Sequence, residues 1–120
     1  NTFGVMMAEA AYNDGEEWLE DLLAYLEENR RIFDEGVNAI PGLRSMNLQS
    51  TYLAWVDFAD TGMTPEEFSK RVEQDAKIAA NYGHTFGKGG ENFLRFNLAT
   101  RRELVEKAVK RLAAAFADLQ

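Results

Sequence analysis

The sequence contains no cysteine and only one histidine, His84, among its 120 residues. The absence of cysteine excludes a disulfide framework and thiolate chemistry. We predict no metal site, since the usual sites combine several histidine or cysteine ligands. A Ser-His-Asp arrangement around His84 stays open, although no G-x-S-x-G motif is present.

Long apolar runs and an excess of positive charge are also missing. No run approaches the ~18 apolar residues that a membrane span needs, and no signal peptide opens the sequence. The 13 basic and 20 acidic residues give a net charge of −7, which repels nucleic acid and anionic lipid. We therefore expect a single cytoplasmic domain that binds neither nucleic acid nor membranes.

The N-terminal segment NTFGVMMAEAAY (1–12) has no charged side chain before Glu9 and predicts a helix that is apolar almost all round. Such a helix needs cover on more than one side. Two interpretations stay open. The helix is buried within this domain, or the sequence is part of a longer chain whose remainder covers it.

The next elements are a long helix and two strands. EEWLEDLLAYLEENRRIFDEGV (16–37) has apolar residues at helical spacing, and Gly36 and then Pro41-Gly42 are predicted to end the helix. LRSMNL (43–48) and TYLAWVDF (51–58) predict strands. In the second strand, alternation places Trp55 on the face opposite Ala54 and Val56.

Two further helices are marked by capping boxes, Thr64 with Glu67 and Thr100 with Glu103. The segment KIAANY (77–82) either ends the first of these helices or begins a short strand. The last helix is expected to bury Leu104, Ala108, Leu112, Ala115 and Leu119. With a strand at 93–98, the order predicts an α+β fold, a small antiparallel or mixed sheet of three to four strands with helices packed on one face.

Four glycines, Gly83, Gly87, Gly89 and Gly90, lie within eight residues. A phosphate-binding loop places its glycines between a strand and a helix, whereas here a strand follows them. The cluster therefore predicts either a mobile loop that enters a strand or a loop that closes on a ligand.

The strand FLRFNL (93–98) carries one arginine in an apolar setting. Alternation places Leu94, Phe96 and Leu98 on the core face and sends Arg95 with Asn97 to the opposite face. A mid-strand arginine is exposed to solvent, paired with a carboxylate, or presented to an anionic ligand, for which its paired donors suit a carboxylate. The pattern alone leaves these three alternatives open.

Four blocks of the sequence resemble one enzyme family in family order: AEAAYNDGEEWLEDLLAYLEENR, STYLAWVDF, GHTFGKGGENF and FLRFNLATRRELVEKAVKRL. They resemble the C-terminal part of fold-type I pyridoxal 5'-phosphate (PLP) enzymes, in the MalY/PatB branch of cystathionine β-lyases and related aminotransferases. The resemblance implies that residues 1–40 form N-terminal and interdomain helices. It implies that residues 41–120 form the α+β small domain.

The resemblance also implies site residues. The arginine of the R-x-N motif, which matches Arg95, holds the α-carboxylate of an amino-acid substrate. Asn97 matches the same motif, although bonding of the neighbouring backbone is an equally good role for it. Phe86 and Gly87 are expected near the active-site entrance. For Tyr52 and Trp55, which match the TYLAW block, core packing is the preferred interpretation.

The catalytic parts of the family are expected outside this sequence. The resemblance places the PLP-binding lysine in a large domain before residue 1, so this chain alone is expected to bind no PLP and to contain no catalytic residue. The parent enzyme is expected to be a homodimer, and the isolated chain is expected to self-associate. The alternative is a free-standing, non-enzymatic α+β interaction module.

Overall fold

A computed structural model describes residues 1–119 and contains, within that range, four α-helices and one four-stranded antiparallel sheet. The sheet order is β1-β2-β4-β3, and every pair of neighbouring strands is antiparallel. The predicted α+β class is confirmed. The helices are α1 (Thr2–Asp14), α2 (Glu16–Asn38), α3 (Pro65–Lys70) and α4 (Arg102–Ala115), and the strands are β1 (Arg44–Ser45), β2 (Leu53–Asp57), β3 (Asn81–Tyr82) and β4 (Phe93–Asn97).

The central pair of the sheet, β2 with β4, separates a core face from an outer face. Ala54 lies opposite Phe96 and Val56 opposite Leu94, and all four side chains are buried. Arg95 lies opposite Trp55 in the same register. The alternation predicted for strand 93–98 is therefore confirmed.

Helices cover only the core face of the sheet. Phenylalanines from several elements meet there: Phe58 stacks on Phe68 with ring centroids 4.7 Å apart and contacts Phe116 at 5.7 Å. Burial of aliphatic and aromatic side chains is the main stabilising contribution in such a layer. The helices supply Phe33, Val37, Phe68, Val105 and Leu112 to this core, together with Val72 from the turn that follows α3.

Gly36 lies inside α2 and does not end it. The helix continues to Asn38, so the predicted stop at Gly36 is wrong. A β-carbon at Gly36 would overlap the side chain of Val109 on α4. The glycine thus lets α2 and α4 pack closely, and its low helix propensity is a cost of that contact.

The predicted strand at 43–48 is shorter than expected. Only Arg44 and Ser45 pair with β2, although the Met46 N–H still donates to the Trp55 carbonyl at 2.8 Å. The chain then turns away, and Thr51 adopts a positive φ of 63° before β2 begins. Strand propensity over 43–48 did not indicate this early departure from the sheet.

The first capping box is confirmed. The Thr64 side chain accepts from the Glu67 N–H, and the Glu67 carboxylate accepts from the Thr64 N–H. These bonds hold the pKa of Glu67 below its usual value.

The helix α3 ends sooner than its periodicity predicts. A π-helical turn, Arg71–Asp75, follows Lys70. The undecided segment 77–82 supplies the edge strand β3.

The prediction of a second capping box, Thr100 with Glu103, is wrong. The N-cap of α4 is Arg101, and its side chain makes no capping bond. A tertiary contact replaces the local one, since the Arg102 N–H donates to the Tyr25 hydroxyl of α2 at 2.8 Å. The buried stripe also differs from the prediction: Leu104 is exposed, and Val105 is buried in its place.

The N-terminal helix α1 has no buried residue, so burial within this domain is the wrong interpretation of its sequence. Its large side chains extend into solvent, with Phe3 at 78% and Tyr12 at 88% exposure. Among residues 1–119, no helix is long and apolar enough to cross a membrane. We call the following exposed side chains the N-terminal apolar surface: Phe3, Val5, Met6, Met7, Tyr12, Trp18, Leu19 and Leu23.

Asn29 fixes the C-terminal end of β4 to α2. It is fully buried, and its side-chain N–H groups donate to the carbonyls of Leu98 at 3.0 Å and Thr100 at 2.9 Å. Both carbonyls belong to the bend between β4 and α4. This side chain therefore determines where the strand that carries Arg95 ends.

We expect Asn29→Ala to lower the free energy of unfolding by about 1–3 kcal/mol, because two carbonyls that Asn29 now satisfies lose their donor. Urea unfolding measures the difference. Asn92→Ala, at an exposed asparagine before β4, is the control and should change stability by less than about 0.5 kcal/mol. Equal effects of the two substitutions would contradict the role of Asn29.

Candidate functional site

Arg95 is the central residue of β4, and its side chain lies on the outer face of the sheet. Trp55 of β2 lies opposite it on one side and Asn81 of β3 on the other. The side chain is half-buried and lies on the face that no helix covers. Three neighbouring strands thus fix the point from which this positive charge emerges.

The Arg95 guanidinium makes two contacts within the described chain. Its Cζ lies 4.2 Å from the centroid of the Phe86 ring, and Nη2 donates to the Asn81 side-chain oxygen at 3.2 Å. Nε is buried without an acceptor. Since a guanidinium carries five N–H bonds, most of its donor capacity is unused by residues 1–119.

Within the described residues, four other arginines use their N–H donors in ion pairs, whereas Arg95 does not. Each of the four pairs with a carboxylate: Arg30, Arg31, Arg44 and Arg71. The bond from Arg71 lowers the pKa of its partner Asp118. No ion pair of Arg95 occurs within residues 1–119, so pairing with a carboxylate of this part of the chain is excluded.

The glycine cluster forms a loop that delivers Phe86 to Arg95. A 3₁₀ turn, Gly83–Phe86, is followed by Gly87 with φ 126° and Gly89 with φ 94°, conformations that side chains rarely adopt. The backbones of Gly83 and Gly90 approach so closely that a β-carbon on either would overlap the other's carbonyl. β4 follows the loop, so a helix N-terminus of the phosphate-binding kind is absent there.

Trp55 supports the loop from the sheet. Its ring meets Phe86 edge-on at 5.4 Å and Phe93 at 5.9 Å. Core packing is therefore the wrong interpretation for Trp55, which is half-buried on the outer face, and for Tyr52, which is 43% exposed. The alternation of β2 already separated Trp55 from Ala54 and Val56, and this signal was available in the sequence.

The other predicted site residues lie close to Arg95 in the fold but do not contact it. The exposed Asn97 side chain accepts from the Ala99 N–H at 2.9 Å, which is the backbone role considered for it. Gly87 lines a groove of about 390 Å³ with Phe86, Trp55 and Met46. Asn81, which sequence reasoning missed, is the residue that hydrogen-bonds Arg95.

A second groove of about 420 Å³ lies between α3 and the edge strand β3. There the Tyr82 hydroxyl donates to the Glu73 carboxylate at 3.0 Å, which raises the pKa of Tyr82. His84 stacks on Tyr82 and makes no side-chain hydrogen bond within the described residues, so no Ser-His-Asp arrangement forms around it. Over residues 1–119, no cluster of potential metal ligands occurs.

Known proteins similar to this chain were found in sequence and in structure. No family model matches the sequence. The chain is 31% identical over 116 residues to cystathionine β-lyase PatB of Bacillus subtilis and 36% identical over 107 residues to protein MalY of Escherichia coli. It superposes with a TM-score of 0.89, at 28% identity, on the structure of cystalysin from Treponema denticola, which contains a pyridoxal 5'-phosphate cofactor. The chain matches fold-type I PLP-dependent enzymes in both sequence and structure.

Within the family, the chain matches the small C-terminal domain. The matches cover 96% of this chain for PatB, 88% for MalY and all of it for cystalysin. They cover only 30%, 27% and 31% of those proteins, so the chain spans about a third of their length. The MalY/PatB resemblance in the sequence is confirmed.

We predict that Asn81→Asp stabilises this small domain through a charged pair with Arg95. The substitution places a carboxylate where a neutral amide oxygen now accepts from Nη2. The expected gain in the free energy of unfolding is about 0.2–1 kcal/mol, as for other surface pairs, and it should decrease in 1 M salt. Urea unfolding at low and high salt measures it.

Two controls separate this pair from a general effect of added negative charge. Asn92→Asp adds the same charge at an exposed position before β4 and should give no such gain. In an Arg95→Gln background, Asn81→Asp should lose its advantage. A gain that persists in that background would show that Arg95 is not the partner.

Proposed function

We propose that this domain binds the α-carboxylate of an amino-acid substrate through Arg95, in a PLP-dependent enzyme that is a C–S β-lyase or an aminotransferase. The observation that supports the proposal is the state of Arg95. It is a half-buried cation on the uncovered face of the sheet, and it donates one hydrogen bond, to Asn81, within the described chain.

A guanidinium in this setting suits a carboxylate for geometric reasons. Two parallel N–H bonds match the two oxygens of a carboxylate, and such charge-assisted pairs are stronger than neutral hydrogen bonds. Partial burial reduces screening by water, so the attraction exceeds that of a fully exposed pair. The Asn81 contact leaves several N–H bonds of Arg95 for this purpose.

The cofactor is expected to bind outside this domain. PLP supplies an electron sink for the negative charge that develops when the Cα–H bond of an amino acid breaks. Lys70, Lys77 and Lys88 are exposed surface residues, so we assign none of them to the cofactor. Arg95 would fix the carboxylate and so orient the Cα–H bond perpendicular to the plane of the PLP ring.

The large domain of the same enzyme is the proposed cover for the N-terminal apolar surface. Exposed apolar areas of this kind usually mark an interface. The relatives are about three times as long as the matched region, so they contain the additional chain that such a cover requires. The parent enzyme is proposed to be a cytoplasmic homodimer, and the isolated domain is proposed to be inactive and to self-associate.

A free-standing interaction module is the weaker alternative. It accounts for the N-terminal apolar surface but gives no reason for the arrangement around Arg95. The similar proteins carry the names of both lyases and aminotransferases, so the two reaction types remain joint proposals.

Replacement of Arg95 by alanine in the full-length enzyme should lower kcat/KM for its amino-acid substrate by at least about tenfold. This follows because a hydrogen bond to a charged group contributes about 1.5–3 kcal/mol. Steady-state assays with cystathionine, and with an amino acid plus an oxo acid, measure the effect for the two reaction types.

Arg31→Ala is the matched control, since it removes an exposed, ion-paired arginine of α2. It should leave kcat/KM within about twofold of the unmodified enzyme. If Arg95→Ala also leaves kcat/KM within about threefold, equivalent to ~0.6 kcal/mol, the proposed carboxylate role is wrong.

A further inference from the structure

We infer that Phe86 is a positioning residue for Arg95, whose ring sets the plane in which the guanidinium presents its N–H bonds to a carboxylate. This inference rests on the function proposed above and goes beyond it. It gives a role to a glycine-loop residue that Arg95 contacts directly and that does not itself bind the carboxylate.

The first support is the geometry of the contact. The Arg95 Cζ lies 4.2 Å from the Phe86 ring centroid, closer than Arg102 lies to Tyr25 (4.5 Å) or Arg71 to Phe116 (5.6 Å). At this distance the cation is attracted to the face of the ring. A guanidinium that lies parallel to the ring at this distance would have one face covered and its in-plane N–H bonds available.

A second restraint acts on the same group. Asn81 accepts from Nη2 at 3.2 Å, from the strand on the other side of Arg95. The ring limits tilt of the guanidinium, and the hydrogen bond limits its rotation within the plane. An arginine side chain is otherwise long and flexible, and ordering it in advance reduces the entropy lost when a ligand binds.

The burial of Phe86 argues against an ordinary packing role. Its side chain is 49% exposed, although it is apolar and contacts both Arg95 and Trp55. Phe86 is absent from the hydrophobic core, so its removal opens no core cavity. The edge-on contact with Trp55, with ring centroids 5.4 Å apart, holds the ring instead.

The glycine loop accounts for how Phe86 reaches this position. The close approach of Gly83 and Gly90 fixes the two ends of the loop. Gly87 and Gly89 adopt positive φ values and reverse the chain after Phe86. The loop path therefore places a single aromatic ring over Arg95, which gives the glycine cluster a function that phosphate binding does not supply.

The test compares Phe86→Leu with Phe86→Tyr in the full-length enzyme. Leucine keeps an apolar side chain but removes the flat ring, whereas tyrosine keeps the ring. We expect Phe86→Leu to raise KM for the amino-acid substrate about fivefold with kcat within about twofold, and Phe86→Tyr to stay near the unmodified values. Phe86→Met serves the same purpose if the leucine variant does not fold.

A spectroscopic readout reports the stack without catalysis. In an NMR spectrum of the arginine Nε–H groups, the Arg95 proton should be shifted upfield by the ring current of Phe86. The shift should disappear in Phe86→Leu and persist in Phe86→Tyr. Tyr25→Leu is the control for the spectrum. It removes a ring from a different arginine, Arg102, together with the hydroxyl that accepts from the Arg102 N–H, and it should leave the Arg95 signal unchanged.

Two outcomes separate this inference from the function on which it rests. If Arg95→Ala strongly impairs the enzyme while Phe86→Leu leaves KM within about twofold, only the role of Phe86 is wrong. If Arg95→Ala has no effect, the carboxylate function itself fails. Equal losses in Phe86→Leu and Phe86→Tyr would also overturn the inference, because the ring would then be irrelevant.

Discussion

The antiparallel pairing of β2 with β4 is the constraint on which the rest of this domain depends. Its register places Ala54 and Val56 with Leu94 and Phe96 against the helices, and it sends Arg95 to the opposite face. A slip by one residue would exchange the two faces and bury the arginine in an apolar core. Burial of the core side chains thus keeps the Arg95 guanidinium on the outer face. The alternation of side chains along β2 and β4 determines both the core packing and the position of the site.

Around this pair, tertiary contacts fix the details that strand periodicity leaves free. Asn29 ties the end of β4 to α2, and the Tyr25 hydroxyl accepts the first helical N–H of α4. Both are side chains of the long helix that reach across to later elements. The outer face receives a different kind of support, an aromatic contact from a loop and a hydrogen bond from an edge strand.

The sequence pattern predicted the direction of Arg95, because period-two alternation in a half-buried strand is a strong local signal. The capping box at Thr64 was also predictable, since its partners are three residues apart. Asn81 was not, because β3 has only two residues and the pattern of 77–82 fits a helix end equally well. Thr100 failed as a cap because Tyr25, distant in sequence, supplies the partner of the α4 N-terminus.

The N-terminal helix shows a further limit of local patterns. Its apolar composition correctly indicates that it needs cover, but composition does not identify what provides it. Here the helix contacts α2 and leaves its large side chains exposed. The large domain proposed above as the cover rests on the greater length of the relatives, which the sequence pattern does not contain.

A crystal structure of the full-length enzyme with a bound amino-acid inhibitor would test the role of Arg95 most directly. We predict that both α-carboxylate oxygens accept from the Arg95 guanidinium at about 2.7–2.9 Å, with the ring of Phe86 beneath it. A carboxylate held by another residue, with Arg95 paired to a carboxylate of the large domain or directed into solvent, would contradict the proposed function.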